Sequence, residues 1–192
     1  MKEVKPTLRG QDWHKPDCYG CGPENKNGLH AEFTFDEETG EVRFPYVAPP
    51  YLKGAPGYMH GGAIATLLDE AQGALCYHLG HMIMTDKLTI KYHKATPLGE
   101  EIYIRCWVTA VRKRRMYTRG IIYNKDEEVL VSSSAVWYLL PERVLRKLFK
   151  EENWPESERQ YRRAVLEANR QRAKKIRRRL REQKKNGSKP HQ

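Results

Sequence analysis

One stretch constrains this fold more than any other. From His60 onward, Gly61-Gly62-Ala63-Ile64-Ala65-Thr66-Leu67-Leu68-Asp69-Glu70-Ala71 opens an apolar helix that runs to about Tyr77 and ends near Gly80. Two short alternating segments precede it, at 31–36 and 41–44, joined across a Thr39-Gly40 turn. Four long ones follow, at 84–93, 102–111, 116–124 and 129–140. Their connections are short: Thr96-Pro97-Leu98-Gly99, Lys113-Arg114-Arg115 and Lys125-Asp126-Glu127-Glu128. A single apolar helix among consecutive strands predicts an α+β domain, with the helix lying against one curved antiparallel sheet.

The start of that helix is stripped of side chains. Pro56-Gly57 breaks the chain just before it, and Gly61-Gly62 leaves the opening amides uncovered. Unpaired N–H groups and the positive end of the helix dipole can hold an oxyanion or a polarised carbonyl. A bulky side chain would block that approach, whereas glycine admits it. Further along, Asp69 interrupts a face of Leu67, Leu68 and Ala71, where apolar neighbours would raise its pKa toward that of a useful base. Glu70 is rotated by about 100° from Asp69, so only one of the two can face a given site. His60 is read as orienting the loop rather than acting as a base. At 1.5 Å per residue, Gly61 and Asp69 lie about 12 Å apart along one helix, too far for one carbonyl to touch both. Either the two groups of a site come from two copies of the helix, or they do not share a site.

Charge is confined to one end. Between residues 157 and 186 there are 13 Lys and Arg against 3 Glu, a net +10 within a chain of net +11. Arguments from basicity toward nucleic acid or membrane therefore apply to the tail alone. No apolar run approaches the roughly 18–20 residues of a membrane span, and residues 1–10 lack the apolar core of a signal peptide. Four cysteines are too few for a disulfide scaffold, so a cytoplasmic protein with reduced thiols is expected. Cys18-Tyr19-Gly20-Cys21-Gly22-Pro23 has metal-ligand spacing, but only His14 and His30 lie nearby and no second Cys-x-x-Cys follows. The segment reads as a structural Gly/Cys turn, and no metal or cofactor is expected. His78 and His81 fall at the helix C-terminus, where a charged imidazole is favourable.

With these residues in view, the chain resembles the hotdog-fold acyl-CoA thioesterases of the PaaI-like family. The resemblance rests on His60-Gly61-Gly62 with Asp69 at the matching spacing, and on Thr85 followed by Leu88-Thr89-Ile90-Lys91-Tyr92 with Pro97 in the next turn. It also includes the opening from Cys18 to Leu29, and it covers about residues 18–140. It implies a long helix wrapped by the sheet, protomers joined edge to edge as a homodimer or dimer of dimers, and active sites at that junction. Carried over, Gly61 supplies the carbonyl-polarising amide, and Asp69 of the other subunit acts as nucleophile or general base. His60 and Thr85 position substrate or water. Gly62, Lys91, His93 and the corner Arg114, Arg115, Met116, Tyr117, Thr118 and Arg119 fall in the CoA-contacting set. Where many relatives carry Asn or Gln before His-Gly-Gly, this chain has Lys53-Gly54-Ala55-Pro56.

The chemistry fits the residues without the resemblance. Thioester hydrolysis needs an electrophile stabiliser and a base, and one preorganised amide donor is typically worth about 2.7–4 kcal/mol in the transition state. Tyr58, Met59, Leu67, Met82 and Met84 offer an apolar lining for an acyl group. The expected division is a turn-rich segment at 1–30, the hotdog domain at 31–141 and a basic helical extension at 142–192. In that extension Leu145, Leu148 and Phe149 suit a short docking helix. A second helix, capped by Ser157 with Glu158 in its first turn and ended by Asn186-Gly187-Ser188, carries a sparse stripe of Tyr161, Val165, Ala173, Ile176 and Leu180. That stripe suits packing on a partner subunit. The basic face suits weak contact with RNA or an anionic membrane. The competing function is a non-catalytic acyl-CoA-binding module whose tail engages nucleic acid or membrane; a sensor, however, has no need of Asp69. A hotdog hydratase would carry an Asp-x-x-x-x-His pair at a strand-helix loop, which is not found here.

Overall fold

The computed structural model describes residues 17–185 apart from 149. The readings made on residues 1–10, His14, Phe149 and Asn186-Gly187-Ser188 lie outside the described residues. Two strands, β1 (Phe35–Asp36) and β2 (Glu41–Val47), lead into helix α1 (Gly61–His78). Then come β3 (Ile83–Tyr92), β4 (Glu101–Arg112), β5 (Arg115–Tyr123) and β6 (Val129–Leu139), followed by α2 (Glu142–Leu148) and α3 (Glu156–Lys185). The strands form one antiparallel sheet in the order β1-β2-β4-β5-β6-β3, curved around α1. β3 forms one edge of this sheet, so its outer backbone groups are open to another chain.

Alternation decides which residues reach the helix. In β2, Val42, Phe44 and Tyr46 are buried while their neighbours are not; in β4, Ile102, Ile104 and Cys106 do the same. They close on Leu67, Leu68, Ala71 and Leu75 of α1, all fully buried. Pro45 lies beyond the reach of the two-residue β1, where β2 is itself an edge and proline is tolerated. The first strand is shorter than its alternation predicts. The amide of Ala31 donates to the Gly20 carbonyl, so the start of this segment pairs with the N-terminal loop, and pairing with β2 begins only at Thr34, whose carbonyl accepts from the Arg43 amide at 2.8 Å.

A buried polar network ties α1 to the sheet. Gln72 donates to Ser133 Oγ at 3.0 Å and accepts from Thr118 Oγ1 at 2.7 Å, while Trp137 Nε1 donates to Thr118 at 2.7 Å. Every member has a partner, which is the condition under which a buried network fixes a unique packing rather than destabilising it. Gly120 permits the approach: a Cβ there would stand 3.2 Å from Leu68 Cδ2 and 2.9 Å from Ser133 Oγ.

The basic helix docks on its own chain. Val165, Leu166, Ala173 and Ile176 are buried, and Ala173 and Ile176 join the main core, whereas Tyr161 is exposed. Asn169 donates to the Tyr77 carbonyl at 3.1 Å and Arg170 to the Gly80 carbonyl at 3.1 Å, capping the end of α1. Gly80 is required twice over: its φ is +79°, and a Cβ there would lie 2.7 Å from the Arg170 backbone nitrogen. On the following turns of α3, Arg172 pairs with Glu37 at 2.9 Å and Arg179 donates to the Glu38 carbonyl at 2.8 Å. The helix begins one residue before Ser157, and the Pro155 carbonyl accepts from Arg159 N–H at 3.2 Å, so serine is not the cap. Of the docking residues before it, Leu145 is buried with Met82 and Leu166, and Leu148 is exposed.

Candidate active site

α1 opens as its glycines suggest. His60 is the N-cap, and its Nδ1 accepts from the Gly62 N–H at 2.9 Å. Its Nδ1 is therefore an orienting acceptor, unavailable as a base in this arrangement. Neither glycine has positive φ. A Cβ on Gly61 would meet Tyr92 Oη at 3.4 Å, an ordinary contact, so packing within the protomer does not demand glycine there. Tyr92, which sequence reasoning passed over as a site residue, donates to the Gly61 carbonyl at 2.8 Å and fixes the first peptide plane of the helix. Its signal was its position on the inward face of β3 with Leu88 and Ile90.

Asp69 is half-buried on α1 and accepts from Thr85 Oγ1 at 3.1 Å. Burial raises its pKa above the usual carboxylate value, and the Thr85 hydroxyl acts in the opposite direction. Strict alternation with Leu88 and Ile90 would put Thr85 on the face of Lys87 and Lys91, away from the helix. The structure reverses that. A bulge between Thr85 and Lys87 inserts one residue, so Thr85 pairs with buried Trp137 and points toward α1, while Lys87 pairs with Val136 and points away. Glu70 turns to the N-terminal loop, where burial and then the neighbouring Asp69 charge push its pKa up to about 7 against a hydrogen bond from Cys21. The two adjacent carboxyls thus serve different neighbourhoods.

The expected ligand-contacting set divides by face. Lys91, His93, Arg115 and Arg119 are exposed, Tyr117 is half-buried, and His93 Nε2 lies 2.8 Å from Ser132 Oγ. Arg115 is paired with Asp86 at 3.1 Å. Met116 and Thr118 differ from the rest of the corner: both side chains are buried toward α1, because alternate residues of β5 point to opposite faces. Gly62 has its amide occupied by His60, and Arg114 sits in the exposed β4–β5 turn. The lining is corrected. Leu67 is wholly within the core and Met82 lies under α2 and α3, leaving Met84 and Tyr58 exposed. Nor is His78 a charged cap: it is buried, stacked on Phe35 at 5.0 Å, with its pKa lowered to about 4 by burial and then by Arg172.

Comparison with known proteins then bears on the fold. Residues 56–131, spanning the bare helix start and Asp69, match the Thioesterase superfamily. A crystal structure of a thioesterase superfamily protein shares 30% identity at a TM-score of 0.61, over 64% of this chain and 60% of that one. The fold is the hotdog fold of the thioesterase superfamily. Among curated thioesterase-superfamily relatives, the acyl-coenzyme A thioesterase THEM4 of Xenopus laevis is 34% identical over 90 residues, 47% of this chain and 40% of that protein. The chain thus matches less than half the length of that relative. A Streptococcus mutans protein solved with acetyl CoA shares the hotdog fold at 19% identity and a TM-score of 0.53, over 60% of this chain and 94% of that one. Among the described residues, no helix is long and apolar enough to cross a membrane.

Proposed function

We propose that this chain hydrolyses acyl-CoA thioesters to a free acid and CoA, acting as a dimer whose sites combine two copies of α1. The Gly61 amide of one copy polarises the thioester carbonyl. Asp69 of the other attacks it or takes a proton from the attacking water, with Thr85 holding its carboxylate. The observation that carries this reading is an uncovered helix start and a half-buried carboxylate on one helix, about 12 Å apart, beside the open edge of β3. The named acyl-CoA thioesterases and the acetyl CoA-bound hotdog protein support the substrate class. Lys91, His93 and Arg119 on the outer face of the sheet suit the phosphates of CoA.

The test is turnover of an acyl-CoA panel followed by free-thiol detection, comparing wild type with Asp69→Ala and Asp69→Asn. Binding without thiol release by wild type would sink the enzymatic reading and leave the binding module. Full activity in the Asp69 variants would sink the assignment of that residue. For the shared site, a Gly61→Val protein and an Asp69→Asn protein, each inactive alone, should regain activity when refolded together. One observation favours an additional contact with polyanions: Lys174, Arg177, Arg178 and Arg181 lie along the exposed side of α3. Salt-sensitive binding of RNA or anionic vesicles, lost when these four are changed to Gln, would support it.

A further inference from the structure

A second cluster of reactive side chains lies where the N-terminal loop crosses α1. Cys18 and Cys21 flank a tight turn in which the Gly22 amide donates to the Cys18 carbonyl at 2.9 Å. Glu70 reaches this turn from α1, and one ligand atom from each of Cys18, Cys21 and Glu70 lies within 4.8 Å of the other two. All three side chains are half-buried, and neither cysteine is in a disulfide. The loop is fitted around the carboxylate. A Cβ on Gly20, between the cysteines, would stand 2.2 Å from both Cγ and Cδ of Glu70. Spacing alone argued against a metal because only His14 and His30 lie near the cysteine pair and no second Cys-x-x-Cys follows; Glu70 comes from the helix, 49 positions after Cys21.

We propose that Cys18, Cys21 and Glu70 form a binding site for one thiophilic divalent cation, with Zn²⁺ the best fit. A two-residue spacer is the usual bite of a thiolate pair on tetrahedral zinc. Ligand bonds of about 2.3 Å to sulfur and 2.1 Å to oxygen put the donor atoms about 3.6–3.8 Å apart, so an ion draws this cluster in by only ~1 Å. Two thiolates and a carboxylate satisfy a borderline-soft cation, and the fourth position is left to water. Binding releases both thiol protons to solvent and takes Glu70 as the carboxylate, with no change of oxidation state. The ion pins the loop to α1. Its role is that of a clasp, and it stands independently of the hydrolytic reading.

The full chain, reduced and kept anaerobic, is titrated with Co²⁺ and then with Zn²⁺. One equivalent of Co²⁺ should bring thiolate-to-cobalt charge-transfer absorption and the visible bands of a four-coordinate ion, and one equivalent of Zn²⁺ should remove both. Cys18→Ser and Cys21→Ser should each weaken Zn²⁺ binding by about a hundredfold or more, and Glu70→Gln by about tenfold with the thiolate band retained. Far-UV circular dichroism checks that the variants are folded, but the wild-type spectrum already decides. Absence of charge-transfer absorption in the reduced wild type overturns the site. So does a Cys18→Ser/Cys21→Ser double variant that binds Zn²⁺ as tightly as wild type. A turn that acts only by closing a Cys18–Cys21 disulfide, its dithiol form indifferent to metal, would overturn it as well.

Discussion

The two long helices of this molecule use charge in opposite ways. α1 is 18 residues long, lies against the sheet and carries two carboxyls, each fitted to a particular neighbour. α3 is 30 residues long and bristles with Arg and Lys, yet what seats it is a narrow stripe through Val165, Leu166, Ala173 and Ile176 plus caps on other people's backbone: the carbonyls of Tyr77, Gly80 and Glu38. One charge among leucines has to be held, desolvated and accounted for, so it is informative about chemistry. Many charges in water cost little and say little. The net +11 of the chain is therefore a poor guide to its site, and a single aspartate is a better one.

The sharpest way to break this contrast is to move one charge in α1 and four in α3. Asp69→Asn should lower kcat on the best acyl-CoA by about 10²–10⁴, the usual range for a general base. Changing Lys174, Arg177, Arg178 and Arg181 together to Gln should leave kcat within about twofold. If the tail variant loses more activity than Asp69→Asn, the comparison is upside down. Next in size is the apolar stripe. Ile176 is 4% exposed, so Ile176→Ala should cost up to about 4 kcal/mol in denaturant-induced unfolding, against at most about 0.5 kcal/mol for Lys175→Ala beside it. Equal costs would mean that α3 is held by charge after all.

The junction of the two helices gives a pH signature. His78 is buried and stacked on Phe35, its Nδ1 has no hydrogen-bond partner, and burial, then the charge of Arg172, lowers its pKa from 6.5 to about 4. The unfolded chain therefore binds more protons than the native one in that window, and stability is lost as pH falls from about 6.5 toward 4. At 1.36 kcal/mol per pKa unit, the loss approaches about 3 kcal/mol. His78→Gln should flatten the Tm-versus-pH curve there; an unchanged slope would assign acid lability elsewhere. Smallest is Gly61→Ala. Its Cβ has ordinary room beside Tyr92, so Tm should hold while kcat drops at least tenfold, about 1.4 kcal/mol. A falling Tm with kcat intact would make the glycine a packing residue.

Much of this was legible before any coordinates. The helix, its bare start, the six strands and the carboxylate at Asp69 follow from periodicity and from residues whose presence needs a cause. What stayed hidden has a common origin: it depends on which residues meet across long sequence separations or on a local break in alternation. Met116 and Thr118 fell on a basic corner in sequence, but the pleat sends them inward with Trp137 and Gln72. The stripe on α3 was visible, whereas its docking site on the same chain was not, since nothing in residues 165–180 names Glu37 or Gly80 as its seat. Glu70 seemed only the discarded alternative to Asp69 until the Cys18–Cys21 turn arrived against it.

The bulge at Asp86 carries a last consequence, for how variants of this chain should be compared. Position 86 contributes no group to the proposed reaction, and its carboxylate pairs with Arg115 on the surface. Yet its extra backbone unit is what turns Thr85 to Asp69, because Leu88 and Ile90 anchor the register on the far side. Deleting this one codon would leave every site residue present by name while rotating Ile83 and Thr85 outward and Met84 inward. Such a protein should still fold around α1, but its Asp69 would lose the Thr85 hydroxyl and its kcat would fall toward that of Thr85→Val. An alignment scores that change as a single gap. For this site, the gap outweighs most substitutions.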